Sequence, residues 1–199
     1  MAVENSMGLA ILIIGLAVFL GCHLFVAARG PRSAAIAWLG MPVYKVAFTV
    51  VAVAGLVLIV WGFAQYRAHD WIQIWTPPSF MRHITVGLMP FATILLVAAY
   101  IPSHIKSRAK HPMLAAIKLW AFGHLLSNGD LGSIILFGSF LAWAVFARIA
   151  LKRRPGVIIA PPPAGWGNDV IAVALGIVIY LALGFAFHPM VIGVAVFGR

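Results

Sequence analysis

The stretch Met113-Leu114-Ala115-Ala116-Ile117-Lys118-Leu119-Trp120-Ala121-Phe122-Gly123-His124-Leu125-Leu126 decides how the chain is threaded. As a helix it rises about 21 Å, short of the roughly 30 Å of hydrocarbon in a bilayer. The charges around it settle its reading. If it crosses, one side of the membrane receives Arg29, Arg32, Lys45, Lys106, Arg108, Lys110, Lys152, Arg153 and Arg154. The other side receives Glu4, Arg67, Asp70, Arg82, Asp130 and Arg199. That is a positive-inside distribution. If the stretch does not cross, the Lys152 cluster moves outside. The sequence therefore predicts six crossings with both termini outside, the fourth being short, tilted or locally thinned.

The remaining apolar runs are Met7 to Ala28, Val43 to Ala64, His83 to Ile101, Leu131 to Ile149 and Val170 to Phe197. Hydrophobic residues make up 63% of the 199 residues and charged ones 9%. Soluble domains hold about 45–50% and about 25%. The composition, with a mean hydropathy of +1.05, excludes a soluble enzyme core. One cysteine, Cys22, excludes an intrachain disulfide. The net charge of +10 sits in short clusters between apolar runs, as membrane-anchoring loops do, and does not point to nucleic acid. Glu4 and the lack of a basic residue before Met7 argue that the first run is a retained span, not a signal peptide. The prediction is an all-α integral membrane protein, a bundle of about six transmembrane helices forming one domain over 1–199.

Local signals agree. Pro112 suits a first helical turn. Asn128-Gly129 makes a tight turn and Asp130 is placed to cap the next helix, so helices four and five read as a hairpin. Ala160-Pro161-Pro162-Pro163 reads as an extended linker. Trp71, Trp75 and Trp166 flank spans as interface anchors. Gly8, Gly15 and Cys22 recur every seven residues, a small-residue stripe for close helix packing.

No span interior carries a carboxylate, which argues against a proton pump with a buried acidic relay. That leaves seven histidines and Lys118. His23, His124 and His188 lie within spans, His83 begins one, and His69, His104 and His111 belong to loops. Singly, each is a helix-packing residue; as a pair from different helices, two are metal or haem ligands. Zinc fits poorly, for no H-x-x-x-H or C-x-x-C occurs. A bis-histidine haem needs two ligands and an aromatic pocket, for which Phe19, Phe25, Trp120, Phe122 and Phe137 are available. Cys22 is a weak alternative ligand. Depth alone does not choose among His23, His83 and His188 as the partner of His124. Lys118, Arg29 and Arg108 are candidate partners for an anionic group such as a haem propionate, or snorkelling residues.

Several motifs carry a family resemblance. These are Ser107-Arg108-Ala109-Lys110-His111-Pro112-Met113-Leu114, Lys118-Leu119-Trp120-Ala121 and His124-Leu125-Leu126-Ser127-Asn128-Gly129-Asp130. With them go Trp75-Thr76-Pro77-Pro78, Arg82-His83, Gly21-Cys22-His23 with Arg29, and Leu136 to Ala144. The chain resembles the NnrU family of bacterial membrane proteins, and through it 15-cis-zeta-carotene isomerase, a membrane haem b protein. The resemblance implies haem b with His23 and His124 as axial ligands. Ala121 stands where the isomerase has a cysteine, so a ligand switch through that cysteine does not carry over. It further implies the bacterial inner membrane and a link to nitrite or nitric oxide metabolism in denitrification. Nitric oxide or a hydrophobic polyene is then the candidate ligand, and a haem-dependent isomerase or a redox or NO-responsive protein the candidate function. The alternative class is a haem-free accessory, assembly or transport protein for denitrification enzymes.

Overall fold

Inside a bilayer every main-chain N–H and C=O must find its partner within the protein, which favours helix. The computed structural model is helical over most of residues 7–69, 71–153 and 165–197, the residues described here. Glu4, Asp70, Arg154, the Ala160–Pro163 linker and Arg199 lie outside them. The helices are α1 (Met7–Ala27), α2 (Arg29–Leu39), α3 (Met41–His69), α4 (Phe80–Ala98), α5 (His104–Ala109), α6 (Pro112–Ser127), α7 (Leu131–Lys152) and α8 (Gly167–Ala182). A π-helical stretch, Leu183–Ile192, continues α8. Five segments are long and apolar enough to cross a membrane: α1, α3, α4, α7 and α8 with its continuation. At 16 residues, α6 falls below that length.

The chain divides into two compact units. The first comprises α1, α2, α3, the segment to Thr76, and Asn128–Ala150; the second comprises Pro77–Ser127 and the residues from Leu151 onward.

In the first unit, α1 and α3 meet along glycines. A Cβ on Gly15 would lie 2.6 Å from Ile59 N, and one on Gly55 2.7 Å from Phe19 N. Additions at Gly8 and Gly62 would overlap the backbone of Tyr66 and Leu12. The partner numbers fall as α1 advances, so the helices are antiparallel. The seven-residue stripe on α1 thus meets a matching one on α3, Gly55 and Gly62. Lipid tails compete with apolar side chains as well as protein does, so close backbone approach is what favours this pairing.

One end of this unit joins two of the family-like motifs. Asp130 Oδ1 accepts the Ser133 N–H at 2.9 Å, capping α7 as expected. Gly129 O accepts the N–H groups of Ile74 and Trp75 at 2.9 and 3.1 Å, and Leu131 N–H donates to Ile72 O at 2.8 Å. A Cβ on Gly129 would strike the Trp75 carbonyl, so only glycine fits. Ile72 is held in turn by its N–H donating to the Tyr66 hydroxyl at 3.1 Å.

In the second unit, α4 is held by polar contacts. Pro90 lies inside α4 and has no N–H to offer the carbonyl four residues back. The Tyr180 hydroxyl of α8 donates to that carbonyl, Val86 O, at 3.2 Å. On α6, Gly123 O accepts the buried Thr85 hydroxyl at 2.6 Å. Pro112 opens α6 as expected. At the other end, Asp169 of α8 accepts the Ile105 N–H at 2.9 Å and the His104 N–H at 3.2 Å, tying α8 to the start of α5.

Two features depart from the sequence expectation. The segment Arg29–Leu39, expected as a loop, is helical. Its ends are marked by extended Ala28 and by Gly40 at φ 76°. The final span, expected to reach Phe197, ends at Ile192. Gly193 adopts φ 74°, Val194 N–H turns back to His188 O at 3.1 Å, and Arg82 donates to Ala195 O and Val196 O at 2.8 and 2.7 Å. Phe197 then packs on Phe185, ring centres 4.4 Å apart.

Candidate functional site

Three helix histidines share one arrangement. His23 Nδ1 lies 2.7 Å from Phe19 O, His124 Nδ1 2.8 Å from Trp120 O, and His188 Nδ1 2.9 Å from Leu183 O. A carbonyl only accepts, so Nδ1 carries the proton in each case. In the neutral ring the lone pair then resides on Nε2. This is the tautomer a metal takes up, oriented by the kind of backbone hydrogen bond that accompanies metal-ligating histidines. His188 reaches back five residues because it lies in the π-helical stretch; π turns are frequent at functional sites.

The surroundings differ between the units. In the first, His23 sits among the rings of Phe19, Phe48 and Trp143, with centres 4.4, 5.2 and 5.7 Å away. Cys22 donates its thiol hydrogen to Phe19 O at 3.0 Å, an arrangement of a neutral thiol rather than a thiolate ligand. In the second unit, the His124 ring lies 5.5 Å from Trp120 and 6.3 Å from His188, the two imidazole planes 25° apart.

The other candidates are dispersed. His83 is exposed in the first turn of α4. His69 is exposed, with Nδ1 3.3 Å from Gln65 O, and His111 immediately precedes α6. His104 Nδ1 pairs with Asp169 Oδ2 at 2.9 Å, and its ring stacks on Trp166 at 4.0 Å. Arg29 is exposed at the start of α2, Arg108 is exposed on α5, and Lys118 is half-buried on α6. Of the aromatic candidates, Phe25 and Phe122 are exposed, 38% and 46%, whereas Phe137 is buried. Ala121, the position of the isomerase cysteine, is fully buried. The proximity of His188 to His124 is not readable from spacing, since 64 residues and a helix break separate them; the His-Pro pair at 188–189 is the only local hint.

The donor set fits haem better than zinc. No group of three or more His, Cys, Asp or Glu side chains placed for a metal occurs among the described residues. A protein zinc site uses three or four such ligands, whereas a haem iron takes two axial ones.

Fold and histidines together define a multi-pass, all-helical membrane protein with three helix histidines whose Nδ1 faces a main-chain carbonyl. A family model described as NnrU protein matches residues 11–196, and the chain belongs to that family. No curated protein and no solved structure matches it.

Proposed function

We propose that this NnrU-family protein is a haem b-binding protein of the bacterial inner membrane, with six crossings and both termini periplasmic. The common tautomer of His23, His124 and His188 carries this reading. Each ring is turned so that its own helix holds the Nδ1 proton, leaving Nε2 as the basic nitrogen. His23 and His124 supply the axial imidazoles, and Lys118, Arg29 and Arg108 are the cations for the propionates. The aromatic surround of His23 gives the low-polarity setting such a cofactor requires. The sixth crossing is α6, which packs antiparallel on α4 through the Thr85–Gly123 bond; its 16 residues span about 24 Å and call for tilt or thinning.

Haem b supplies one-electron chemistry when held by two imidazoles, and a binding position for a small or unsaturated ligand when one of them leaves. This chain's part is to hold and orient the imidazoles and to keep water from them. The function is accordingly redox or nitric-oxide-responsive, or isomerase-like, within denitrification.

The test is the absorption spectrum of the purified protein, oxidised and dithionite-reduced. A low-spin haem b at about one per chain is expected. His124→Ala should lose the haem or turn it high-spin, and His23→Ala should do the same. If His23→Ala retains the wild-type spectrum while His188→Ala loses it, the second ligand is His188, whose ring centre lies 6.3 Å from that of His124. A protein colourless even after haem reconstitution ends the haem reading and leaves the assembly or transport role.

A further inference from the structure

α2 is an 11-residue helix with no fully buried residue. It joins two spans at one end of the first unit, and at about 16 Å it is too short to cross. Its residues sort into two faces. Arg32, Ala35, Ile36 and Leu39, three or four apart, are half-buried; Arg29, Ser33, Ala37 and Trp38 are exposed, Trp38 by 84%. A cation therefore lies on the face turned toward the protein.

Among the described residues no carboxylate pairs with that cation. The Arg32 guanidinium carbon stands 5.9 Å from the centre of the Tyr44 ring. Arg32 Nε and the Tyr44 hydroxyl are both closed to water, and neither has a hydrogen-bond partner; Tyr44 as a whole is only 8% exposed. Buried polar groups are nearly always bonded, so each of these two groups lacks a partner it would ordinarily have. The described residues include two carboxylates, and neither provides it. Asp130 caps α7, at the end of the unit where Gly132 meets Tyr66. Asp169 is committed to α5 in the other unit.

We infer that α2 binds the phosphate of an anionic phospholipid headgroup on the cytoplasmic leaflet, with Arg32 and Tyr44 as its donors once the guanidinium swings outward and opens both atoms, which are closed to water as they stand. A guanidinium is the side chain best shaped for phosphate oxygens. An exposed tryptophan on a short basic helix is the usual seat at the lipid interface. Arg29 adds attraction to an anionic surface without a defined partner. The inference stands independently of haem.

The test uses the full chain in detergent, stripped of lipid and offered phosphatidylglycerol and phosphatidylcholine in equal amounts, with retained lipid weighed by native mass spectrometry. Phosphatidylglycerol should be preferred by about tenfold, the scale of one or two charge-assisted hydrogen bonds. Arg32→Gln should erase the preference, and Tyr44→Phe should reduce it several-fold. Lys110→Gln, in the other unit, should leave it unchanged. Equal retention of the two lipids, or a preference untouched by Arg32→Gln, overturns the inference. Should Arg32→Gln fail to fold, Tyr44→Phe decides by the same criterion. Displacement of the lipid by millimolar inorganic phosphate overturns the lipid assignment in favour of a free anion.

Discussion

The two units solve one problem differently. In the first, α1 and α3 are brought together by removing side chains: Gly8 and Gly15 face Tyr66 and Ile59, and Gly55 and Gly62 face Phe19 and Leu12. In the second, α8 also approaches α4 at a glycine, Gly176 against the Ile94 backbone, and side-chain hydroxyls are given to main-chain carbonyls as well, Thr85 to Gly123 O and Tyr180 to Val86 O. The first interface relies on a run of four glycines and tolerates no added atom. The second has one such glycine and adds bonds that water does not compete for, each of modest worth.

The largest expected effect is in the glycine seam. Gly62→Leu places a side chain in the backbone of Leu12 and should destabilise the fold by about 3 kcal/mol, read by denaturant titration in micelles. A loss under about 0.5 kcal/mol would show that α1 and α3 separate freely and break the contrast. Next is Thr85→Val, which keeps the shape and removes the bond to Gly123 O; about 1 kcal/mol is expected from the same titration. A loss as large as that of Gly62→Leu would refute the claim that the second unit is held by small increments.

Tyr180→Phe should cost less, about 0.6 kcal/mol, and offers a sharper test of cause. The bond exists because Pro90 leaves Val86 O without its helical donor. In a Pro90→Ala background the restored N–H takes that carbonyl, and Tyr180→Phe should then be neutral. An undiminished cost in the double variant would remove proline from the explanation. Smallest is Arg82→Gln, which frees Ala195 O and Val196 O at the surface. Faster proteolysis of the C-terminal segment is expected, with unfolding midpoints unchanged; an unaltered cleavage rate would show that Phe197 alone holds it.

Much of the scaffold was legible in the residues. The apolar runs located α1, α3, α4, α6 and α7 to within a few positions, and Pro112 and Asp130 marked helix starts by their own chemistry. The glycine period on α1 is legible too, whereas its partner on α3, Gly55 and Gly62, shows only where the two helices pack. α2 was missed because two arginines and a short apolar run look like a loop when charge is counted by side of the membrane. Its period appears only in Arg32, Ala35, Ile36 and Leu39. The end of the last span was missed because Val191 to Phe197 is as apolar as a helix, and nothing local announces that Arg82 captures its carbonyls. At the candidate site, His23 and His124 were named from the sequence and its resemblance. The hydrogen bond that sets each tautomer and the nearness of His188 were not.

By itself, then, the sequence determined an all-helical membrane protein and where most of its helices run. Those properties add up residue by residue from the cost of placing each side chain in hydrocarbon or water. The tertiary structure alone decided which glycine meets which backbone, that Tyr180 serves the carbonyl Pro90 leaves open, that Arg32 lies inward beside the Tyr44 ring, and that His188 stands 6.3 Å from His124. These depend on which faces meet across the packed helices, and a pairwise contact between residues distant in sequence leaves no mark on either residue alone.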